Sequence, residues 1–159
     1  KKEGVLRNTV PLELNEGELR HRNNTSSELL LYGYIPLMLS AQCVRKNLFG
    51  CTGKCETVYL KDRYNSEFPV KCCCTPWECS SLEKAKYCYN IIYNSIPYGL
   101  PGERERVEKL NLQSLRLAFT VEKPEEAREI FKEFQSVYQK NGKPSGRRYT
   151  KGHFKRGAE

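Results

Sequence analysis

Eight cysteines, all between Cys43 and Cys88, are the residues whose type and spacing point most directly to chemistry. Thiolates are soft ligands that hold zinc and iron–sulfur centres strongly. Cys51 and Cys55 stand as C-x3-C and Cys74 and Cys79 as C-x4-C, enough to write down a four-thiolate zinc site. Iron–sulfur sites tolerate wider spacing, because four cysteines can come from separate loops around one cluster. Disulfides are the competing use: in an oxidising compartment eight Cys allow up to four, and the overlapping sequons at Asn23 and Asn24 would then be exposed acceptor sites. Three consecutive thiols, Cys72 to Cys74, make that pairing awkward, since neighbours compete for partners. Eight Cys in 159 residues also fall below the roughly 8–10% that marks a disulfide scaffold. Metal or cluster ligation in a reducing, cytoplasmic setting is therefore the expectation. Thiol nucleophilic catalysis would need a histidine to take the proton, and the only two, His21 and His153, lie in polar segments. No H-E-x-x-H metalloprotease motif occurs.

A second group of candidates is cationic. Twenty-seven Lys and Arg against nineteen Asp and Glu give a net charge of +8, which favours an anionic partner such as nucleic acid. Arg147, Arg148, Lys151, Lys155 and Arg156 concentrate part of that charge near the C-terminus. On RNA each would neutralise a phosphate and make affinity salt-dependent; as a solvated tail they would do nothing specific.

The elements that must position these groups fit one short domain with a thin core, since apolar residues reach 38% against the usual 45–50% or so. Val10 to Leu14 reads as a short strand and Glu16 to Arg22 as a helical turn; the run from Leu29 to Leu39 has the pattern of a strand buried on both faces or of a buried helix, and Pro36 argues for a strand followed by a change of direction. Gly33 and Pro36 interrupt that run well short of the roughly 18 residues needed to cross a bilayer, so no membrane span is expected. Within the Cys-rich stretch 43–88, Val58 to Leu60 and Phe68 to Val70 flank Asp62–Ser66 as a β-hairpin. Glu103 to Leu110 suits a short helix. Leu115, Leu117, Phe119 and Val121 alternate as a strand, and Pro124, Glu125 and Glu126 open a helix carrying Ala127, Ile130, Phe131, Phe134, Val137 and Tyr138 at helical spacing. Residues 143–159 read as a basic tail or linker. A chain beginning with Lys and offering three strands of parallel-sheet character is expected to be a processed protein or a piece of a larger one.

The stretch Glu28-x-Leu30-x-x-Gly33-Tyr34-Ile35-Pro36, then four residues, then Ala41-x-Cys43, resembles the signature of the collagenase-like U-thirty-two peptidase family. Pro36 stands where a Cys is usual and Ala41 where a Gly is usual, departures similar to those of the branch common in Gram-positive anaerobes. ELNEGELRHR (13–22), YLKDRYNSEFPVK (59–71), CYNIIYNS (88–95), LRLAFTVEKPEEAREI (115–130) and YTKGHFKRG (149–157) resemble that branch in the same order. The resemblance implies an α/β fold: the C-terminal portion of a TIM-like barrel over 1–142 with a Cys-rich insertion at 43–88, then a linker at 143–159. The N-terminal barrel half and a further C-terminal domain of the same protein would be its missing partners. Members are labelled peptidases, although several bacterial ones act in RNA base hydroxylation with prephenate as cosubstrate, and relatives in quinone biosynthesis hold a four-iron four-sulfur cluster. Carried over, Cys43 ends the signature, Cys51 follows a Gly in the next loop, Cys74 follows the Phe-Pro-Val segment, and Cys88 precedes Tyr-Asn. These four are the implied cluster ligands. Cys72 and Cys73 are adjacent alternatives, and the insertion TPWECSSLEKAKY adds Cys79. On such a barrel Cys43 would follow a strand at the active face, where Thr120 and Glu122 end the last strand. The competing readings are a protease, as the family label says, and a zinc-stabilised RNA-binding module using Cys51, Cys55, Cys74 and Cys79.

Overall fold

The structure is a computed structural model that describes residues 4, 6–51, 53–77 and 85–156. In chain order its elements are β1 (Asn8–Thr9), α1 (Glu16–Arg20), β2 (Ser27–Gly33), β3 (Pro36–Ser40), α2 (Val44–Phe49), β4 (Glu56–Lys61), β5 (Glu67–Trp77), β6 (Ala85–Tyr93), β7 (Tyr98–Gly99), α3 (Arg104–Glu108), β8 (Ser114–Ala118) and α4 (Pro124–Lys140). They divide into two units, one made of the chain up to Tyr34 and from Ile96 onward, the other of Ile35–Ser95. Among the described residues no helix is long and apolar enough to cross a membrane.

The first unit is mixed α/β and is built on β2, whose Leu29, Leu30, Leu31 and Tyr32 are all buried, as the apolar run up to Gly33 requires, whereas Leu37, Met38 and Leu39, beyond Pro36, are exposed on β3. β1 and β8 run parallel to it, with Asn8 opposite Ser27 and Glu28 opposite Ser114, while β7 pairs antiparallel at its C-terminal end. No closed barrel forms among the described residues. α4 starts at Pro124, where a missing N–H costs nothing, and ends on Asn141 in the left-handed region (φ 58°). Its apolar face turns Ile130, Phe134 and Val137 inward, and Phe134 meets Tyr32 of β2 edge-on at 5.8 Å. α1 opens with a capping box in which the Glu18 N–H donates to Asn15 and the Asn15 N–H donates to Glu18.

Three expectations shift here. The first strand is Asn8–Thr9, not Val10 to Leu14, because Pro11 has no N–H to continue the ladder and its carbonyl takes the Leu14 N–H in a turn. β8 stops at Ala118 because the Glu122 carboxylate takes the Thr120 and Val121 N–H groups. Asn24 is buried, its side-chain N–H donating to the Leu19 and Leu110 carbonyls, so it is not an exposed sequon.

Residues 143–156 lack helix and strand, yet they pack against the rest of the first unit. Phe154 is 2% exposed, its carbonyl accepts from Glu16 N at 2.8 Å, and Thr150 bridges to Tyr98 beside the Gly99 N–H. Two buried carboxylates hold this segment. Glu103 receives Lys151 Nζ at 2.5 Å and Lys155 Nζ at 3.2 Å, and Glu133 accepts from Ser145 N and the Tyr149 hydroxyl.

The second unit is an antiparallel sheet in the order β3-β6-β5-β4. Its β4–β5 hairpin turns on Asp62, whose side chain accepts from Tyr64 N at 2.7 Å and Ser66 N at 2.9 Å, with Asn65 at φ 62°. Among the described side chains of β5, Pro69, Val70 and Cys72 are buried. α2, a six-residue helix that Gly50 stops at φ 85°, has no counterpart in the sequence reading of this stretch.

Candidate metal centre

Side chains alternate along a strand, so Cys72 and Cys74 share one face of β5 and Cys73 takes the other. The register with β6 sets Asn90 opposite Cys72, Tyr89 opposite Cys73 and Cys88 opposite Cys74. Cys74 Sγ and Cys88 Sγ lie 2.9 Å apart, a thiol–thiol contact well outside the roughly 2.05 Å of a disulfide bond. Both residues are half-buried. Cys55, just before β4, turns its sulfur to the backbone of Cys74, accepting from the N–H at 3.2 Å and donating to the carbonyl at 3.6 Å.

Cys43 lies at the N-terminus of α2, where its sulfur accepts from Lys46 N at 3.5 Å. It also hydrogen-bonds the Cys72 thiol. Burial pushes that thiol up, a hydrogen bond from the Arg45 backbone pulls it down, and Cys43 and Glu56 add to the rise. Arg45 Nε ion-pairs with Glu56 at 2.9 Å, while its Nη1 is buried with no hydrogen-bond partner among the described residues. Asn90 is fully buried, and its Oδ1 is likewise buried without a partner among the described residues. An unsatisfied donor and an unsatisfied acceptor thus accompany the thiols of this face. On the opposite face, Cys73 hydrogen-bonds Tyr89 and raises its hydroxyl pKa.

Of the four predicted cluster ligands, the fold brings Cys74 and Cys88 together, pairs Cys43 with Cys72 instead, and leaves Cys51 exposed beyond Gly50. Cys43 follows β3 of the antiparallel sheet, not a strand of the mixed sheet built on β2. For the zinc alternative, Cys55 meets the Cys74 backbone, and Cys79 lies outside the described residues. Among the described residues no three Cys, His, Asp or Glu side chains converge on one ion position. The face taken by Cys72 was within reach of the sequence, since a hairpin that buries Val70 turns the residue two further on to the same side, but its pairing with Cys43 was not.

The cationic candidates divide. Arg147 pairs with Glu129 and Glu133, and Lys151 and Lys155 pair with Glu103, whereas Arg148 and Arg156 are exposed and carry no ion pair among the described residues. Glu122 accepts from the Tyr32 hydroxyl at 2.7 Å as well as capping the end of β8. Burial, and then this carboxylate, hold the Tyr32 hydroxyl protonated. The pair joins two strand ends, which is a structural task. Comparison of the chain with known protein families, with curated proteins and with solved structures gives no match.

Proposed function

We propose that the chain is part of a cytoplasmic iron–sulfur enzyme of RNA base hydroxylation, similar to the collagenase-like U-thirty-two peptidase family. The observation that carries this reading is the Cys74–Cys88 contact, in which two ligands implied by the resemblance come together across β5 and β6. The donor set suits the group, since thiolates are what iron–sulfur clusters take. Arg45 Nη1, buried without a partner among the described residues, also suits it, because hydrogen bonds to cluster sulfurs help to set the potential. Cys43, Cys51, Cys74 and Cys88 would hold the cluster, with Cys72 adjacent to the set. Bound there, a four-iron four-sulfur cluster would supply one-electron chemistry. Arg148 and Arg156 would meet RNA phosphates, and prephenate is the cosubstrate that the resemblance suggests. β1 and β8 each keep an edge without a partner strand among the described residues, which supports further barrel strands elsewhere in the same protein.

Anaerobic purification followed by iron and acid-labile sulfide analysis tests the reading. Iron and sulfide should be present in the unaltered chain and lost in Cys43→Ser and Cys88→Ser; a colourless protein with stoichiometric zinc overturns it. A zinc-stabilised RNA-binding module is the second reading, favoured by the bonds between Cys55 and the Cys74 backbone. It requires instead that Cys55→Ser and Cys79→Ser abolish metal binding.

A further inference from the structure

We propose that Cys74 and Cys88 form a thiol–disulfide exchange site, closing a cross-strand disulfide between β5 and β6 when the metal-free chain meets a small-molecule disulfide. Their sulfurs already lie 2.9 Å apart. The two residues stand directly opposite in an antiparallel ladder. Opposed residues there have Cα atoms roughly 4.5 or 5.5 Å apart, inside the range of about 4.4–6.8 Å that a disulfide spans. Side-chain rotation alone can therefore form the bond, with the backbone left in place.

Selectivity comes from where the neighbouring thiols are engaged. Cys72 is buried and hydrogen-bonded to Cys43, and Cys73 faces the other way against Tyr89. Cys55 is turned to the Cys74 backbone. Cys74 and Cys88 are only half-buried, so a small disulfide can reach them.

The exchange proceeds in two balanced steps. One thiol loses its proton, and its thiolate attacks a sulfur of the small disulfide; the protein–small-molecule S–S bond forms, the original S–S bond breaks, and one small thiolate leaves. The second protein thiol, deprotonated in turn, attacks the protein-side sulfur and expels the other small thiolate. The two protons return to the two leaving thiolates. Two protein thiols are oxidised, one small disulfide is reduced, and a dithiol reductant reverses the change. This chemistry stands without any metal. Taken with the cluster reading above, it also means that oxidation consumes two proposed ligands, so the oxidised chain takes up no iron until it is reduced.

The test uses the full chain, reduced, stripped with a chelator and then incubated with oxidised glutathione. The expected product has lost two hydrogens and links the peptide bearing Cys72, Cys73 and Cys74 to the peptide bearing Cys88. The link should vanish in Cys74→Ser and Cys88→Ser and persist in Cys72→Ser and Cys73→Ser. Fragmentation of the linked peptide from the unaltered chain assigns the sulfur directly, whatever the variants do. A glutathione adduct that stays on Cys88 without resolving, or a link that survives in Cys74→Ser, overturns the proposal. Failure of the cluster reading shows separately, as absence of iron in the reduced chain, and leaves the disulfide map unchanged.

Discussion

Truncating Phe154 is the sharpest test of how the C-terminal segment behaves. A solvated basic linker would tolerate Phe154→Ala without consequence, but the ring is 2% exposed and its residue's carbonyl caps the start of α1 through Glu16 N. Removing a buried Phe side chain costs about 3–5 kcal/mol from lost transfer energy and the cavity left behind. The loss is large against the roughly 5–15 kcal/mol that holds a domain folded. For a unit of about one hundred residues, each kcal/mol moves Tm by roughly 4–8 °C, so the variant should melt at least about 12 °C lower. Releasing the segment also frees Lys151 and Lys155 from Glu103. Both lysines are nearly half-exposed, so those pairs add little beyond the packing term. Thermal unfolding followed by helical circular dichroism reads mainly α4, which belongs to this unit. Arg156→Ala, exposed and without an ion pair among the described residues, is the control and should stay within about 0.5 kcal/mol of the unaltered chain. If Phe154→Ala melts within about 2 °C of that control, less than one kcal/mol apart by the same scaling, the segment is a free tail and the reasoning fails.

Gly99→Ala should destabilise the same unit by about 1–3 kcal/mol, the usual cost of overpacking, because the new Cβ would sit 2.5 Å from Tyr149 Cδ1 and push a ring already packed against Tyr32 and Phe134; a denaturant midpoint unchanged from the unaltered chain would contradict the close approach. Glu103 governs the acid limb of stability. Burial raises its pKa, but the hydrogen bonds and charges of Lys151 and Lys155 outweigh burial and leave it below the ordinary 4.5. A depressed folded value means that the stabilisation is complete above the unfolded pKa and is lost as pH falls through the folded one. Glu103→Gln should therefore flatten the loss of stability below about pH 4.5. Equal slopes for the two proteins in a pH series of melting curves would refute that assignment.

Particular residues show what the sequence could and could not disclose. The hairpin turn was legible because, within five residues, the Asp62 side chain accepts from the Tyr64 and Ser66 N–H groups and Asn65 takes the left-handed conformation. α4 was legible because Pro124 and the acidic first turn mark its start and the apolar spacing carries through to Tyr138. α2 was not: six residues are too few for a periodic signal, and a Cys at its N-cap is not among the residues that usually announce a helix. The anchoring of residues 143–156 depends on Glu103 and Glu133, carboxylates far along the chain from the cations and hydroxyl they hold, and no local pattern encodes such pairs.

The thiol site sits between these cases. The residue types were visible, but the pairing depends on the register of β5 with β6 across the insertion 75–87, whose length does not translate into a register. Packing supplies that information. Val70 is fully buried and Cys72 is 2% exposed, so a one-residue slip of β5 would turn both outward and bring Lys71 and Cys73 to the inner face. Burying the Lys71 ammonium there costs far more than exposing a thiol. A slip would set Cys73 or Thr75, depending on its direction, opposite Cys88 and break the Cys43–Cys72 hydrogen bond. The contact between Cys74 and Cys88 is thus selected by an apolar residue four positions before Cys74 and a charged residue three before it, neither of which touches the chemistry.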